Sequence, residues 1–381
     1  MAAFQYQQTQ TYFCQTPGGM EPLAAGELKQ LGCGSIKKAH RGLYFKADPA
    51  TLYGVNYQGR LITRILAPLA SFQCGNRDDL YRAARSINWG ACFTVNNTFG
   101  IFANVSGNPN LRHSKFAALC LKDGVVDHFR DRLGKRPNVD RREPDVWLNL
   151  HVEKNRGTIS LDTSGGSLHR RGYRSESVEA PIQEIVAAAV VALSEWDGRQ
   201  PLYDPMCGSG TLLCEAAMLA GNIPAGFLRK GFGFRFLPDF DRNRWHEVKS
   251  RADGRITELP GGLVAGSDIA KNAVKASRTN CSRLPHGERI TITRSDFRNL
   301  PGFQNSVILC NPPYGLRLQE DDLQPLYRSL GDFLKQRCQG AQAFIYFGKR
   351  ESLKYMGLRP SWKKPLRNAG LDGRLVKYEL Y

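Results

Sequence analysis

From residue 180 onward the sequence alternates helical patterns with short apolar runs, and this alternation limits the fold more than any other feature. A helical pattern at 180–196 ("APIQEIVAAAVVALSEW") precedes four such runs, and a fifth lies in "AQAFIYFGKRE" (341–351). The first four runs end at polar residues: Asp204, Asp268, Asp296 and Asn311. Strands that alternate with helices are typical of a parallel sheet, whose carboxyl ends meet at one edge. We therefore predict a doubly wound α/β domain over residues 166–381 with these four residues close together.

Residues 1–165 show a mixed α+β pattern instead. "TYFCQT" (11–16) alternates like a strand, "MEPLAAGELKQLG" (20–32) has helical spacing, and a hairpin is predicted over 145–165. We predict two small α+β domains, over residues 1–65 and 66–165. An amphipathic helix is expected over 114–133. Its predicted buried side comprises Phe116, Leu119, Val126, Phe129 and Leu133.

The net charge of +18 predicts a polyanionic partner, with nucleic acid as the leading candidate. The alternative is a generally basic, well-solvated surface. The positive charges are clustered, in the loop 134–144, in the Gly- and Arg-rich joint 165–180 and at Lys363-Lys364, and clustering favours a binding surface. The residues expected to contact a nucleic acid are Lys135, Arg136, Arg141, Arg142, Arg170 and Arg171.

The ten cysteines contain no Cys-x-x-Cys pair and no compact group with histidine. A zinc or iron–sulfur site is therefore not expected, and no metal is predicted. The scattered cysteines and the missing secretory leader favour a reducing, cytoplasmic location. No apolar run approaches the roughly 20 residues that a membrane span requires.

The segment "YDPMCGSGTLL" (203–213) predicts a tight glycine turn between a strand and a helix. It is neither a Walker A loop nor the dinucleotide fingerprint. An acid at Asp204 would repel a pyrophosphate but suits a cationic ligand such as S-adenosylmethionine (SAM), which carries a sulfonium and an ammonium group. The alternative interpretation is an ordinary strand–helix turn without a ligand.

Two further acids follow strands. Asp268 is placed where doubly wound folds commonly bind two ribose hydroxyls. Asp296 is suited to accept a hydrogen bond from an adenine amino group, with the Phe297 ring packed on the base. The glycine turn and Asp268 are far apart in the sequence because a segment at 222–250, rich in Arg, Lys, Phe and Trp, lies between them. This segment is interpreted either as a cover or nucleic-acid contact, or as a packed excursion with its own core.

The fourth run ends in Asn311-Pro312-Pro313-Tyr314, where two prolines remove two N–H donors and stop the strand. The Asn311 side-chain oxygen and the Pro312 carbonyl can accept both hydrogens of an exocyclic amine. Such acceptors draw the nitrogen lone pair out of the ring plane, toward an electrophilic methyl group. Tyr314 can stack on the base. Catalysis would then consist mostly of orienting the amine toward the methyl group. The alternative interpretation of this motif is a plain Pro-Pro turn.

These motifs point to a known family. "DPMCGSGT", "SDI", "SDF" and "NPPYG", in this order, resemble class I SAM-dependent methyltransferases that act on amines. "TPGGMEPLAAGELKQLG", "INW", "RPNVDRREPDVWLNLHV" and "LDTSGGSLHRRGYR" closely resemble the THUMP-containing RlmL family of 23S rRNA guanine-N2 methyltransferases, some of which bear the name N6-adenine-specific DNA methylase. The resemblance covers nearly the whole chain. It implies a ferredoxin-like element at 1–65, a THUMP RNA-binding domain at 66–165 and a Rossmann-like class I methyltransferase domain at 166–381.

The resemblance also implies roles for individual residues. The amine-positioning residues would be Asn311, Pro312, Pro313 and Tyr314. The SAM contacts would be Pro181, Glu184, Asp204, Cys207, Gly208, Ser209, Gly210, Asp268, Ile269, Asp296, Phe297 and Asn311. The partner would be 23S rRNA or a large-subunit assembly intermediate. Some members carry a second, fused methyltransferase domain, and its activity is expected to be absent here.

Three functions remain open on the residues alone. The first is guanine-N2 methylation of rRNA. The second keeps the chemistry on another sp² amine: adenine N6 in DNA or RNA, or a protein glutamine. The third is a catalytically idle RNA-binding or ribosome-assembly protein, which the intact Asp204, Asp268, Asp296 and Asn311 argue against. The basic, THUMP-like half favours structured RNA.

Overall fold

The structure is a computed structural model that describes residues 3–178, 181–314, 320–368 and 371–381, without the side chains of 320–322. The described residues form two β-sheets with helices packed on them. The strands of the first sheet are β1 (Thr11–Gln15), β2 (Gly34–Ala39), β3 (Gly42–Lys46), β4 (Arg64–Gln73), β5 (Thr98–Ser106), β6 (Asn138–Val139), β7 (Val146–Glu153) and β8 (Arg156–Asp162). The helices of this half are α1 (Gln5–Thr9), α2 (Glu21–Gln30), α3 (Pro49–Gln58), α4 (Arg77–Ser86) and α5 (Ser114–Leu133).

The second sheet belongs to the larger, C-terminal half. Its strands are β9 (Leu202–Asp204), β10 (Val264–Asp268), β11 (Thr291–Arg294), β12 (Val307–Cys310), β13 (Gln342–Phe347), β14 (Trp362–Pro365) and β15 (Arg374–Glu379). The helices are α6 (Glu184–Leu193), α7 (Thr211–Ala220), α8 (Arg242–Asp253), α9 (Lys271–Cys281) and α10 (Glu320–Arg337).

The first sheet is continuous across both predicted N-terminal domains. Its order is β2-β3-β1-β4-β8-β7-β5-β6. Strand β4 spans the predicted boundary at residue 65, because it pairs with β1 through Arg64–Leu66 and with β8 through Leu66–Gln73. The two units therefore share hydrogen bonds along one strand, and the predicted boundary stays a prediction.

The second sheet has the doubly wound arrangement that the sequence predicts. Its order is β11-β10-β9-β12-β13-β15-β14, with β9 to β13 parallel and β14 and β15 antiparallel. The chain starts at β9, builds outward to β11 and then returns to β12 on the other side of β9. Ligands of such sheets bind where the strand order reverses, outside the carboxyl ends. The site is therefore expected beyond β9, β10 and β12.

Helix α5 begins and ends as predicted, but its buried side is different. Phe116, Leu119 and Leu133 are exposed, whereas Val126 and Phe129 are buried as predicted. The true buried side includes the small residue Gly124, where an added Cβ would meet Ala84 Cβ at 2.5 Å. Close packing against α4 through small residues thus rotates α5, and three of the five predicted core positions were wrong.

The aromatic residues of the 222–250 segment form a core with α3. Tyr53 and Tyr57 of α3 pack on Trp245, with ring centroids 6.4 and 5.3 Å away, and Phe234 lies 4.6 Å from Tyr53. Phe232 and Phe234 are buried. The segment therefore joins the N-terminal half to the C-terminal half, which is the packed-excursion alternative rather than a stacking surface for bases.

Several absences apply only to the described part of the chain. No helix there is long and apolar enough to cross a membrane. No group of three or more His, Cys, Asp or Glu residues is placed there to hold a metal ion. The ten cysteines are all buried free thiols.

Candidate active site

The glycine turn after β9 is shaped by backbone that only glycine adopts easily. Gly208 and Gly210 have φ of 55° and 78°. At Gly210 an added Cβ would also meet Ser277 Oγ of α9 at 2.4 Å. The Cys207 amide donates to the Ser267 carbonyl at 2.9 Å, which fixes the turn to the end of β10. The turn is thus tight and held against two neighbouring elements.

Asp268 fastens the same turn from the side of β10. Its Oδ2 accepts a 2.9 Å hydrogen bond from the Gly208 amide, and its Oδ1 accepts one of 2.9 Å from the Ala270 amide. Ile269, the next residue, is 59% exposed, which is unusual for a large aliphatic side chain. An acid and an exposed apolar surface therefore lie together at the edge of the sheet.

Asp204 is the buried acid of the site, with 1% of its surface exposed. Burial raises the pKa of its carboxyl well above the ordinary value, and the nearby Asp268 carboxylate raises it further. The Met206 amide, 3.1 Å from Oδ1, opposes this effect. A buried acid next to a second acid attracts a cation, because a positive ligand restores the ionised form.

Asn280 is a site residue that sequence reasoning missed. It is fully buried in α9, and its Nδ2 donates to the Ser209 carbonyl at 2.9 Å and to the Glu176 carbonyl at 2.8 Å. Its Oδ1 accepts from the Ser175 and Glu176 amides. One side chain thereby ties the glycine turn to the joint before α6. A lone Asn within a helical pattern gave no signal of this role.

Arg174 is a second residue that the sequence did not single out. It donates from Nε to Glu184 Oε1 at 2.9 Å, and from Nη2 to the Ile182 carbonyl at 2.9 Å and Thr211 Oγ1 at 3.1 Å. Its Nη1 is buried without a hydrogen-bond partner among the described residues. Glu184 and the start of α7 are thus brought together around a guanidinium with a spare donor. Of the quoted "APIQE" motif, Ala180 lies outside the described residues.

The third strand end differs from its prediction in one respect. Asp296 caps the following 3₁₀ turn, and Arg298 donates to its carboxylate through Nε at 2.9 Å. This hydrogen bond holds the pKa of Asp296 below its ordinary value. The Phe297 ring is 5% exposed and packs edge-on against Phe333 of α10. It is therefore a core residue, whereas Ile269 is exposed.

The fourth strand end carries a buried acceptor that pairs with no described residue. Asn311 follows β12, and its Oδ1 is buried without a hydrogen-bond partner within the described ranges. The Pro313 carbonyl accepts from Tyr327 of α10 at 3.2 Å, which anchors the corner. A buried oxygen without a partner costs free energy, and such atoms in folded proteins commonly mark a ligand's place. Gly315 of the quoted "NPPYG" motif lies outside the described residues.

Tyr314 is held firmly at this corner. Its hydroxyl accepts a 3.4 Å hydrogen bond from Asn368 Nδ2, and its ring packs so closely on Gly348 that an added Cβ there would come within 2.5 Å. Only 6% of the residue is exposed. Stacking of a base on Tyr314 therefore stays a prediction, and it requires ring surface that is covered here.

The predicted nucleic-acid contacts fall into two groups. Lys135, Arg136, Arg141 and Arg142 are exposed on a loop held by β6 and by Asp140, whose Oδ1 accepts from the Arg142 amide at 2.7 Å. Arg170 is also exposed.

Arg171 is the exception, because it is 1% exposed and pairs with Glu215 at 3.2 Å. It also donates to the Leu168 and Arg60 carbonyls. Arg171 therefore links the two halves of the chain, and its assignment to an RNA-binding surface was wrong.

The sheet order, the glycine turn and the acids after β9 and β10 are those of a class I methyltransferase domain. Three models of known families match the chain. They are an RlmL ferredoxin-like domain at residues 11–66, a THUMP domain at 74–162 and an RMKL-like methyltransferase domain at 171–377. The chain therefore belongs to the RMKL-like methyltransferase family. The predicted fold class, family and cofactor are confirmed.

Known proteins resemble the chain over nearly its full length. "Putative RNA methyltransferase slr0064" of Synechocystis sp. is 40% identical, covering 98% of this chain and 97% of that protein. The ribosomal RNA large subunit methyltransferase K/L of Photobacterium profundum is 38% identical over 96% of this chain but 52% of its own length. The chain thus spans about half the length of that relative. The crystal structure of a possible methylase from Clostridium difficile has a TM-score of 0.84 at 26% identity, covering 98% of each chain.

Proposed function

We propose that this protein transfers the methyl group of SAM to the exocyclic N2 amine of a guanine in 23S rRNA. The observation that carries the proposal is the Asn311 Oδ1 atom, which is buried without a partner among the described residues at the carboxyl end of β12. An amine hydrogen of the substrate would complete its hydrogen bonding. The acceptor is thus oriented before the base arrives, and little reorganisation is needed.

Asn311 and the Pro312 carbonyl would hold the two amine hydrogens. The amine nitrogen of a base is a poor nucleophile because its lone pair is conjugated with the ring. Two fixed acceptors turn that lone pair out of the ring plane, and the two prolines fix their direction. Pro313 contributes through its carbonyl, which accepts from Tyr327 and so ties the corner to α10.

The residues around the glycine turn fit SAM by charge and by shape. When bound, SAM supplies an electrophilic methyl group on a sulfonium. Asp204 would face its positive end, Asp268 its ribose and Ile269 its adenine. The spare Nη1 donor of Arg174 suits the methionine carboxylate, beside Glu184 and Thr211. Cys207, Gly208, Ser209 and Gly210 would line the turn with their backbone.

RNA as the substrate is supported by the THUMP model and by the names of the relatives. The Synechocystis relative is named as an RNA methyltransferase, and the Photobacterium relative as an rRNA large subunit methyltransferase.

The exposed loop with Lys135, Arg136, Arg141 and Arg142 is the proposed contact in the THUMP unit. Reversing these charges should weaken RNA binding and flatten its salt dependence. An unchanged salt slope would remove the loop from the binding surface. A cytoplasmic site of action, on rRNA or an assembly particle, is part of the proposal.

The substrate is tested by mass analysis of nucleosides from a strain that lacks this gene. Loss of one N2-methylguanosine from 23S rRNA supports the proposal. Unchanged rRNA methylation together with a loss of methyladenine from DNA would show that the target base is adenine in DNA rather than guanine in rRNA. Unchanged methylation of all nucleic acids and proteins, with defective large-subunit assembly, would instead indicate a catalytically idle assembly protein.

A further inference from the structure

The segment 349–377 contributes far more positive charge than its length predicts. Its 29 residues contain nine Lys or Arg residues and two acidic residues, Glu351 and Asp372. Lys363-Lys364 is one of the basic clusters that the sequence shows, and the proposed RNA contacts do not include it. Such a concentration on one short segment calls for a polyanionic partner or for compensating acids nearby.

Described residues of this segment, together with Tyr378, line a groove of about 870 Å³ at the edge of the second sheet. One wall is the 3₁₀ turn Arg350–Tyr355 with the loop after it, and the other wall is β14 and β15. Lys363 lies opposite Val376, and Pro365 opposite Arg374, so these side chains share one sheet face. The cationic residues that line the groove are Arg350, Lys354, Lys363 and Arg374.

The charges of the groove are only partly neutralised. Arg350 pairs with Glu351, and Arg374 pairs with Asp372. Lys354 and Lys363 form no salt bridge with any described residue. The Lys354 ammonium lies 4.9 Å from the ring centroid of Tyr355. The hydroxyl of Tyr378, which also lines the groove, is buried without a partner in the described part of the chain. Two cations without an acidic partner and a hydroxyl without a hydrogen-bond partner, each judged among the described residues, thus line an open volume.

The groove begins beside the catalytic corner. Strands β12 and β13 are parallel, with Cys310 opposite Ile345, so Asn311 and the end of β13 lie at the same sheet edge. Arg374 pairs with Phe347, the last residue of β13, and Gly348 contacts the Tyr314 ring. A chain molecule that presents a base to Asn311 can therefore continue into the groove.

We infer that this groove binds the phosphodiester backbone of the RNA strand next to the target nucleotide. The inference rests on the proposed function for the identity of the polyanion as RNA. The volume lies within the range of sites that hold a small molecule, which corresponds to a short stretch of backbone. Lys354 and Lys363 neutralise phosphates from opposite walls, and the backbone contacts fix the register of the strand without reading its sequence.

The test uses the double variant Lys354→Gln/Lys363→Gln in the full chain and a fluorescein-labelled single-stranded RNA. We expect its Kd to rise about tenfold at moderate salt. The slope of log K against log salt should fall by about 1.4, because each lost phosphate contact on a single strand contributes about 0.7. SAM affinity and thermal unfolding should not change, and methyl transfer at saturating RNA should be restored.

The matched control is Lys37→Gln/Lys38→Gln, which removes the same charge from exposed positions on β2, at the outer edge of the other sheet. An equal loss of RNA affinity in this control, or an unchanged slope in the groove variant, would overturn the inference. Inorganic phosphate could raise the unfolding temperature of the wild type while the groove variant binds RNA normally. This result would make the groove a small-anion site and would also overturn the inference.

The same experiment separates this inference from the proposed function. If the wild type binds the labelled RNA but methylates no guanine, the proposed function fails. The groove is still tested by comparing the salt slopes of RNA binding for the groove variant and the control variant. Tyr378→Phe removes only the hydroxyl. It should weaken RNA binding about threefold with no change of slope, since a neutral group releases no counterion.

Discussion

The Gly208 amide donates a 2.9 Å hydrogen bond to Asp268 Oδ2, and this contact joins the turn after β9 to the acid at the end of β10. The second oxygen of Asp268 accepts from the Ala270 amide at the start of α9. One carboxylate therefore shapes two of the turns that meet at the edge of the sheet. The loop geometry and the negative charge of the site depend on the same side chain.

Replacement of Asp268 should weaken SAM binding in two steps. Asp268→Asn loses the charge and one of the two hydrogen bonds, because its Nδ2 cannot accept from an amide, whereas Asp268→Ala loses both hydrogen bonds. Each charged hydrogen bond is worth about 1.5–3 kcal/mol, so we expect about a tenfold rise in the Kd for Asn and a larger rise for Ala. Titration calorimetry checks this order. Asp197→Asn, at an exposed acid after α6, is the control and should bind normally.

Asp204 should make SAM binding depend on pH. Burial raises the pKa of this carboxyl, so the free protein keeps it protonated at pH values where an ordinary carboxyl, with a pKa of about 4, is ionised. A cationic ligand favours the ionised form and should release a proton on binding. Affinity should therefore rise with pH until Asp204 ionises in the free protein.

Titration in buffers of different ionisation enthalpy measures that proton. Asp204→Asn should abolish its release. The folding linkage has the opposite sign: a raised carboxyl pKa means that the folded state binds more protons. The contribution of Asp204 to stability should therefore fall as pH rises above about 4. Equal proton release by the wild type and Asp204→Asn would exclude this acid as the cation site.

Gly348 should be required for the catalytic corner. An added Cβ would lie within 2.5 Å of the Tyr314 ring, so Gly348→Ala forces the ring or the backbone to move. We expect a loss of about 1–3 kcal/mol in the free energy of unfolding, the usual cost of overpacking, and slower methyl transfer. Gly26→Ala is the control because nothing lies within 4 Å of its Cβ in α2. The control should be neutral or slightly stabilising; identical behaviour of the two variants would refute the packing argument.

The buried pair Arg171–Glu215 should matter for folding and not for RNA. Arg171→Met leaves Glu215 buried without its partner and should cost about 3–5 kcal/mol. Arg170→Met, one residue away on the surface, should change stability by less than about 0.5 kcal/mol. Denaturant unfolding of both variants gives the comparison. Equal stabilities would show that the Arg171–Glu215 pair does not stabilise the fold.

The sequence predicts the C-terminal sheet well because local signals suffice there. An apolar run followed by Asp204 or Asn311 marks both a strand and its end, and parallel pairing then brings the ends together. Arg171 and Asn280 were not predictable in the same way. Arg171 lies in an Arg-rich joint that looks like surface, and only tertiary contact with Glu215 shows that it is buried. Asn280 acts through the Glu176 and Ser209 carbonyls, which are distant in sequence.

The N-terminal half shows a different limit. The pattern of α5 places its bounds correctly, yet contact between Gly124 and Ala84 decides which side is buried, and the sequence does not reveal that contact. Likewise, Phe297 follows a strand end but packs into the core on Phe333 of α10. In both cases packing between elements, rather than local periodicity, sets the outcome.

Methyl transfer to 23S rRNA by the wild type and by Asn311→Ala tests the central claim most directly, with the product nucleoside identified by mass. The Asn311 Oδ1 accepts no hydrogen bond from any described residue, so its removal should not lower the unfolding temperature. Asn243→Ala, at an exposed position on α8, is the control. We predict N2-methylguanosine from the wild type and the control. In Asn311→Ala, turnover should fall about 100- to 1000-fold with SAM affinity retained. N6-methyladenosine as the product, or near-normal turnover by Asn311→Ala, would contradict this account.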